Sequence, residues 1–180
     1  GSVFTGKITY EVIKVLYKNA LINGVLTDIE VKDGKIMKLE KTDGEGVDLG
    51  GRRVFAGLID THIHGCLGYD STEDGDKLEE MSIYLAKDGV TSWLPTTMTM
   101  GHEDLKAAVN RELPKKGAQV LGFHLEGPYI SPKYKGAQNP EYIVAPTMEF
   151  FNACKNIKRV TLAPEAEGAI EFIKECPAQV

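Results

Sequence analysis

Val54-Phe55-Ala56-Gly57-Leu58-Ile59-Asp60-Thr61-His62-Ile63-His64-Gly65 is an apolar run that ends in two histidines and a glycine. A short apolar stretch closed by a turn residue reads as a buried strand. Side chains two apart on a strand share a face, so Asp60, His62 and His64 line one side together. Two imidazoles at a strand end, with Gly65 opening a loop, supply half of a divalent-metal site. Alone, an HxH triplet is equally two histidines hydrogen-bonding at a strand terminus. A second segment of the same build shifts that balance. Val120-Leu121-Gly122-Phe123-His124-Leu125-Glu126-Gly127-Pro128 is again an apolar strand, with His124 and Glu126 on one face before a Gly-Pro stop.

The sequence changes character near residue 50. Before it, Ile13-Lys14-Val15-Leu16-Tyr17, Asp28-Ile29-Glu30-Val31 and Ile36-Met37-Lys38-Leu39 are separated by Asn23-Gly24 and Asp33-Gly34. Alternating residues punctuated by Asn-Gly and Asp-Gly are hairpin signals, so residues 1–52 are expected to hold a small antiparallel β unit. Glycines 44, 46, 50 and 51 mark a connection. From residue 53 strand and helix alternate. Strand 54–63 is followed by a helix near 76–88 stopped by Gly89, strand 90–94, a helix near 103–113 ended by Pro114, strand 119–125, and a helix near 147–155 capped by Thr147. Strand 159–163 and a helix over 167–176 follow, and residues 178–180 open another strand.

Repeated βα units require a parallel sheet with helical crossovers, either an open doubly wound sheet or a (β/α)₈ barrel. The polar residues favour the barrel. His62 and His64, Thr96 and Thr97, His124 and Glu126, and Glu165 all fall at or just past the carboxyl ends of successive strands, where a barrel keeps its active site. The expected fold is therefore α/β, with residues 53–180 forming the first four βα units of such a barrel.

Composition excludes more than it selects. With 180 residues, 26% of them charged, and a net charge of -5, the chain lacks the basic stripe of a nucleic-acid surface. It holds no apolar run of the ~20 residues that span a membrane. Three widely spaced cysteines without a CxxC pair point to a reduced, cytoplasmic protein.

Ala56-Gly57-Leu58-Ile59-Asp60-Thr61-His62-Ile63-His64-Gly65 resembles the metal-binding strand of the amidohydrolase superfamily. Gly89-Val90-Thr91-Ser92-Trp93-Leu94-Pro95-Thr96-Thr97, His124-Leu125-Glu126-Gly127-Pro128, Lys135-Gly136-Ala137-Gln138-Asn139-Pro140-Glu141-Tyr142-Ile143 and Thr161-Leu162-Ala163-Pro164-Glu165 narrow the resemblance to the N-acetylglucosamine-6-phosphate deacetylase family. The resemblance implies a cytoplasmic hydrolase of amino-sugar catabolism that releases acetate from N-acetylglucosamine 6-phosphate. It is expected to use one or two divalent ions, zinc or iron. It further implies that Glu126 is a ligand of the principal metal, that His62 and His64 provide a second metal position, and that Ala137 and Gln138 lie against the sugar. Many relatives carry His where Gln138 stands.

The same resemblance places the general-base Asp, two further metal-binding histidines and a phosphate-gripping Arg in later strands. The chain is thus expected to be the N-terminal half of an enzyme roughly twice as long, homodimeric when complete and nearly inactive as a fragment. The resemblance also implies that residues 1–52 are the N-terminal, incomplete part of a small β-sandwich-like domain. The remaining polar residues are expected in humbler roles: His124 in packing or second-layer support, Glu165 in orientation, His102 at the surface, and Cys66 as a small packed thiol. Two rival classes stand beside this one: another amidohydrolase, such as a cyclic-amide hydrolase or deaminase, and a non-catalytic half-barrel.

Overall fold

The computed structural model describes residues 14–180; Ile13, expected to begin the first strand, and the rest of 1–13 lie outside the described residues. Internal contacts divide the chain into two units, Gly1–Ala56 and Gly57–Val180. In the first, strands β1 (Lys14–Ile22), β2 (Val25–Lys32) and β3 (Lys35–Leu39) form an antiparallel meander, and β4 (Val47–Asp48) joins β1 in parallel. Both turns are the ones their sequences demand. Asn23 and Gly24 have φ of 48° and 81°, and Asp33 and Gly34 have 50° and 73°. Positive φ at both central residues suits the right-handed twist of the flanking strands, and Asn, Asp and Gly tolerate it. Asp28 of β2 is buried and accepts the N–H groups of Asn19 and Thr42 at 2.8 and 3.0 Å, with the Lys41 ammonium at 3.2 Å.

The second unit alternates strand and helix as its periodicity requires. In chain order it holds β5 (Leu58–Ile63), a small hairpin of β6 (Gly65–Cys66) and β7 (Tyr69–Asp70), α1 (Leu78–Lys87), β8 (Val90–Pro95), α2 (His102–Val109), β9 (Gln119–Val120), β10 (Phe123–Glu126), α3 (Met148–Asn152), β11 (Ile157–Thr161) and α4 (Ala169–Glu175). The pairs β5–β8, β8–β9 and β10–β11 are all parallel. A parallel bridge from Thr96 to His124 links the carboxyl ends of β8 and β10, and Gln179 bridges Arg159 of β11. Spatial order therefore follows chain order without reversal.

The apolar faces of the helices meet one face of these strands. Leu78, Met81 and Leu85 of α1, Leu105 and Val109 of α2, and Phe172 of α4 pack with Trp93, Val120, Phe123, Leu125 and Val160 in one buried cluster. The Trp93 indole N–H finds Ser82 Oγ at 3.0 Å, so the largest core side chain leaves no polar atom unpaired.

Several boundaries differ from the sequence expectation, each for a local reason. The run from Val54 is shared: Val54 N–H bonds Leu21 O in the first sheet at 2.9 Å, and the second sheet starts at Leu58, bonded to Gly89 O at 3.0 Å. Strand 119–125 is two strands, because Leu121-Gly122, with Gly122 at φ 142°, interrupts it between pairing with β8 and pairing with β11. Helix α2 stops at Val109 rather than near 113. Asn110 is instead drawn into bonds with Ala153 O at 2.9 Å and Lys155 N–H at 2.7 Å. The hairpin β6–β7 was not expected at all; two-residue strands carry no periodicity.

Candidate metal centre

Strand β10 shows how alternation builds the site. Phe123 and Leu125 are fully buried in the helix-covered core, so His124 and Glu126 face the other side of the sheet. Strand β5, ending at Ile63, delivers His62 and then His64 to the same mouth. Glu126 Oε2 lies 3.0 Å from His62 Nε2 and 2.8 Å from His64 Nε2, and the two Nε2 atoms are 3.3 Å apart. Three side chains from two strands, 64 residues apart in sequence, thus aim one atom each at a single point.

The tautomer of His64 is fixed by its other nitrogen. His64 Nδ1 is 3.2 Å from Thr96 O, a carbonyl that can only accept, so Nδ1 carries the proton and Nε2 turns a lone pair inward. A lone pair facing a carboxylate oxygen at this range calls for positive charge where the three atoms meet. Zinc bonds of ~2.0–2.1 Å in tetrahedral array separate neighbouring donors by about 3.3 Å. The observed spacings of 2.8 to 3.3 Å need only slight opening to match, and imidazole with carboxylate suits zinc or iron(II). The donor set fits a divalent cation.

His124 is not part of this triad. Its Nδ1 meets Thr96 Oγ1 at 3.3 Å and its Nε2 meets Thr161 Oγ1 at 2.8 Å, so both nitrogens are engaged. Burial, with the nearby His62 ring and Arg159 cation adding to it, pushes its imidazole down to about 4, and it stands neutral edge-on to His62 at 4.8 Å. Asp60 is likewise elsewhere, its carboxylate accepting the His62 N–H at 3.0 Å.

The triad lies in a cleft of about 550 Å³ whose wall includes Met98, Tyr134, Lys135, Gly136, Ala137, Gln138 and Thr161. Ala137 is exposed to this space. Gln138 is buried, and its side-chain oxygen accepts the Thr99 N–H at 2.6 Å, pinning the 135–138 loop to the segment after β8. The Lys135 ammonium closes the loop from within by donating to Gln138 O at 3.2 Å. The sequence marks Thr96 only as a polar strand end, gives Lys135 and Thr161 no role beyond the segments that contain them, and does not point to Ser71 or Tyr134. These residues meet the site through tertiary packing that has no period.

No protein-family model matches the chain. Among curated proteins it is 35% identical to the N-acetylgalactosamine-6-phosphate deacetylase of Escherichia coli O157:H7 over 84% of this chain and 43% of that protein. It is 38% identical to the N-acetylglucosamine-6-phosphate deacetylase of Lysinibacillus sphaericus over 82% of this chain and 42% of that one. The crystal structure of N-acetylglucosamine-6-phosphate deacetylase from Pasteurella multocida superposes with a TM-score of 0.76 at 29% identity, covering 89% of this chain and 47% of its own. The chain spans about two fifths of the length of the curated relatives it matches. In sequence and in fold the chain is similar, along most of its own length, to the N-terminal part of N-acetylglucosamine-6-phosphate deacetylases.

Proposed function

We propose that the protein containing this chain removes acetate from an N-acetylated amino-sugar 6-phosphate. The substrate the sequence favours is N-acetylglucosamine 6-phosphate, giving glucosamine 6-phosphate. The observation that carries this is the meeting of His62, His64 and Glu126 on one point inside the cleft walled by residues 134–138. A zinc or iron(II) ion bound there would lower the pKa of a water to ~7 and polarise the amide carbonyl. His62 and His64 present their lone pairs, Glu126 contributes the negative charge, and Thr96 O holds the His64 ring in the required tautomer. Ala137 offers the surface against which the sugar lies. With its oxygen engaged by Thr99 and one amide N–H directed at Met98 Sδ at 3.8 Å, Gln138 has one N–H left for a sugar hydroxyl.

Residues 53–180 are read as the first four βα units of a (β/α)₈ barrel and 1–52 as part of a small β domain. Parallel strands arranged in chain order support that reading. The general base, the further metal ligands and the phosphate-gripping arginine are assigned to chain beyond the matched segment. The complete enzyme is proposed to be a cytoplasmic homodimer, in keeping with the three unpaired cysteines.

Acetate release tests this directly. N-acetylglucosamine 6-phosphate and N-acetylgalactosamine 6-phosphate are offered with Zn(II) or Fe(II), against hydantoin and dihydroorotate as controls. The expected outcome is near-zero turnover by this chain alone and acetate release once the remaining segment is supplied. A missing base alone accounts for a ~10²–10⁴-fold deficit. Ring opening of the cyclic amides in place of deacetylation would overturn the substrate class. Turnover by the isolated chain at ~1–10³ s⁻¹ would overturn the division of catalytic groups.

A further inference from the structure

We propose that Thr96 is a positioning residue for the metal centre, holding both of its arms, on the footing that His62, His64 and Glu126 form the cation site argued above. Thr96 follows β8 directly and is fully buried. It grips Ile63, the residue between the two histidines, from both sides. Its N–H donates to Ile63 O at 2.9 Å and its Oγ1 accepts the Ile63 N–H at 3.0 Å. The second bond is needed because β5 loses register with β8 between Asp60 and Ile63. The part-buried Ile63 N–H at this break lacks its ladder carbonyl, and the hydroxyl supplies the acceptor.

The remaining groups of Thr96 reach the other ligands. Its carbonyl takes the His64 Nδ1–H at 3.2 Å and the Ser71 hydroxyl at 3.0 Å. Its Oγ1 donates to Leu94 O at 3.2 Å and also lies 3.3 Å from His124 Nδ1. His124 stands two residues before Glu126 on β10. One residue therefore sets the peptide between two ligands, the tautomer of one of them, and the strand that brings the third. Valine would keep the β-branched shape but leave the part-buried Ile63 N–H without this acceptor.

The test is Zn(II) affinity by chelator competition, with Co(II) visible absorption as a report on geometry, in wild type, Thr96→Val and Thr96→Ser. Loss of such outer partners typically weakens metal binding ~10–100-fold, and that is the fall expected for Thr96→Val, with an altered Co(II) band. Thr96→Ser, which keeps the hydroxyl, should stay close to wild type in both readouts. Thermal unfolding is recorded alongside. If Thr96→Val melts lower yet binds Zn(II) as tightly with an unchanged Co(II) spectrum, the hydroxyl serves only the fold and the proposal is overturned. Should that variant not fold, long-range ¹H–¹⁵N spectra of the metal-free wild type at pH 8 decide. The Nδ1–H form of His64 supports the arrangement and the Nε2–H form overturns it. Wild type that takes up no Zn(II) overturns the cation site itself and the positioning role with it, a result distinct from equal affinity in wild type and variant.

Discussion

Glu126 Oε2 is the atom on which both imidazoles converge, at 3.0 and 2.8 Å, and it carries the only negative charge of the triad. Replacing Glu126 by Gln keeps the volume but removes that charge and turns one donor atom into an N–H₂ group that cannot ligate. Glu126→Gln is therefore expected to lower Zn(II) affinity by at least ~10-fold, measured by chelator competition, while the far-ultraviolet circular dichroism stays unchanged. Undiminished binding would show that the two histidines alone carry the ion. That His62, His64 and Glu126 meet at one mouth of the sheet was legible in the sequence because strand parity and a terminal glycine are local signals. Thr96 was not legible as their support. Its bonds to Ile63, His64 and His124 bridge 33, 32 and 28 residues, and no spacing rule encodes them.

Among the elements, the β1–β2–β3 meander was the most readable, since Asn23-Gly24 and Asp33-Gly34 fix their own turns. The single strand expected over 119–125 was the least readable. Its apolar pattern runs on through the break at Gly122, and only its pairing partners change. Inside the meander, Asp28 makes an element-level prediction. The Thr42 N–H first, then the Asn19 N–H and the Lys41 ammonium, hold its carboxyl down to about 2, from an ordinary 3.8. Between those values the unfolded chain binds more protons than the folded one, so stability rises as pH rises through that window. The contribution of Asp28 is complete above 3.8 and is lost as pH drops toward 2. Asp28→Asn should be less stable than wild type at pH 7, with the gap closing across that acid window in chemical denaturation. A gap constant from pH 7 to 2 would mean the carboxylate's charge is irrelevant to β2.

At the scale of the whole molecule, β5 pairs on one side with β8 and, among the described residues, has no strand on its other side. Leu58 and Ile59 on it are 54% and 61% exposed. Open apolar edges invite pairing between chains, and a lysine on the edge suppresses it. The isolated chain is expected to associate as its concentration rises, and Ile59→Lys to reduce the mass seen by light scattering. Association unchanged by Ile59→Lys would move the contact elsewhere. The in-order arrangement of β5, β8, β10 and β11 has another consequence, for synthesis. The ligands are met along the chain in the order in which they stand across the sheet. All three donor atoms have left the ribosome once Glu126 emerges, before α3, β11 and α4 have followed it out. A metal ion can thus serve as a template for the growing chain, captured before the cleft around it has been walled.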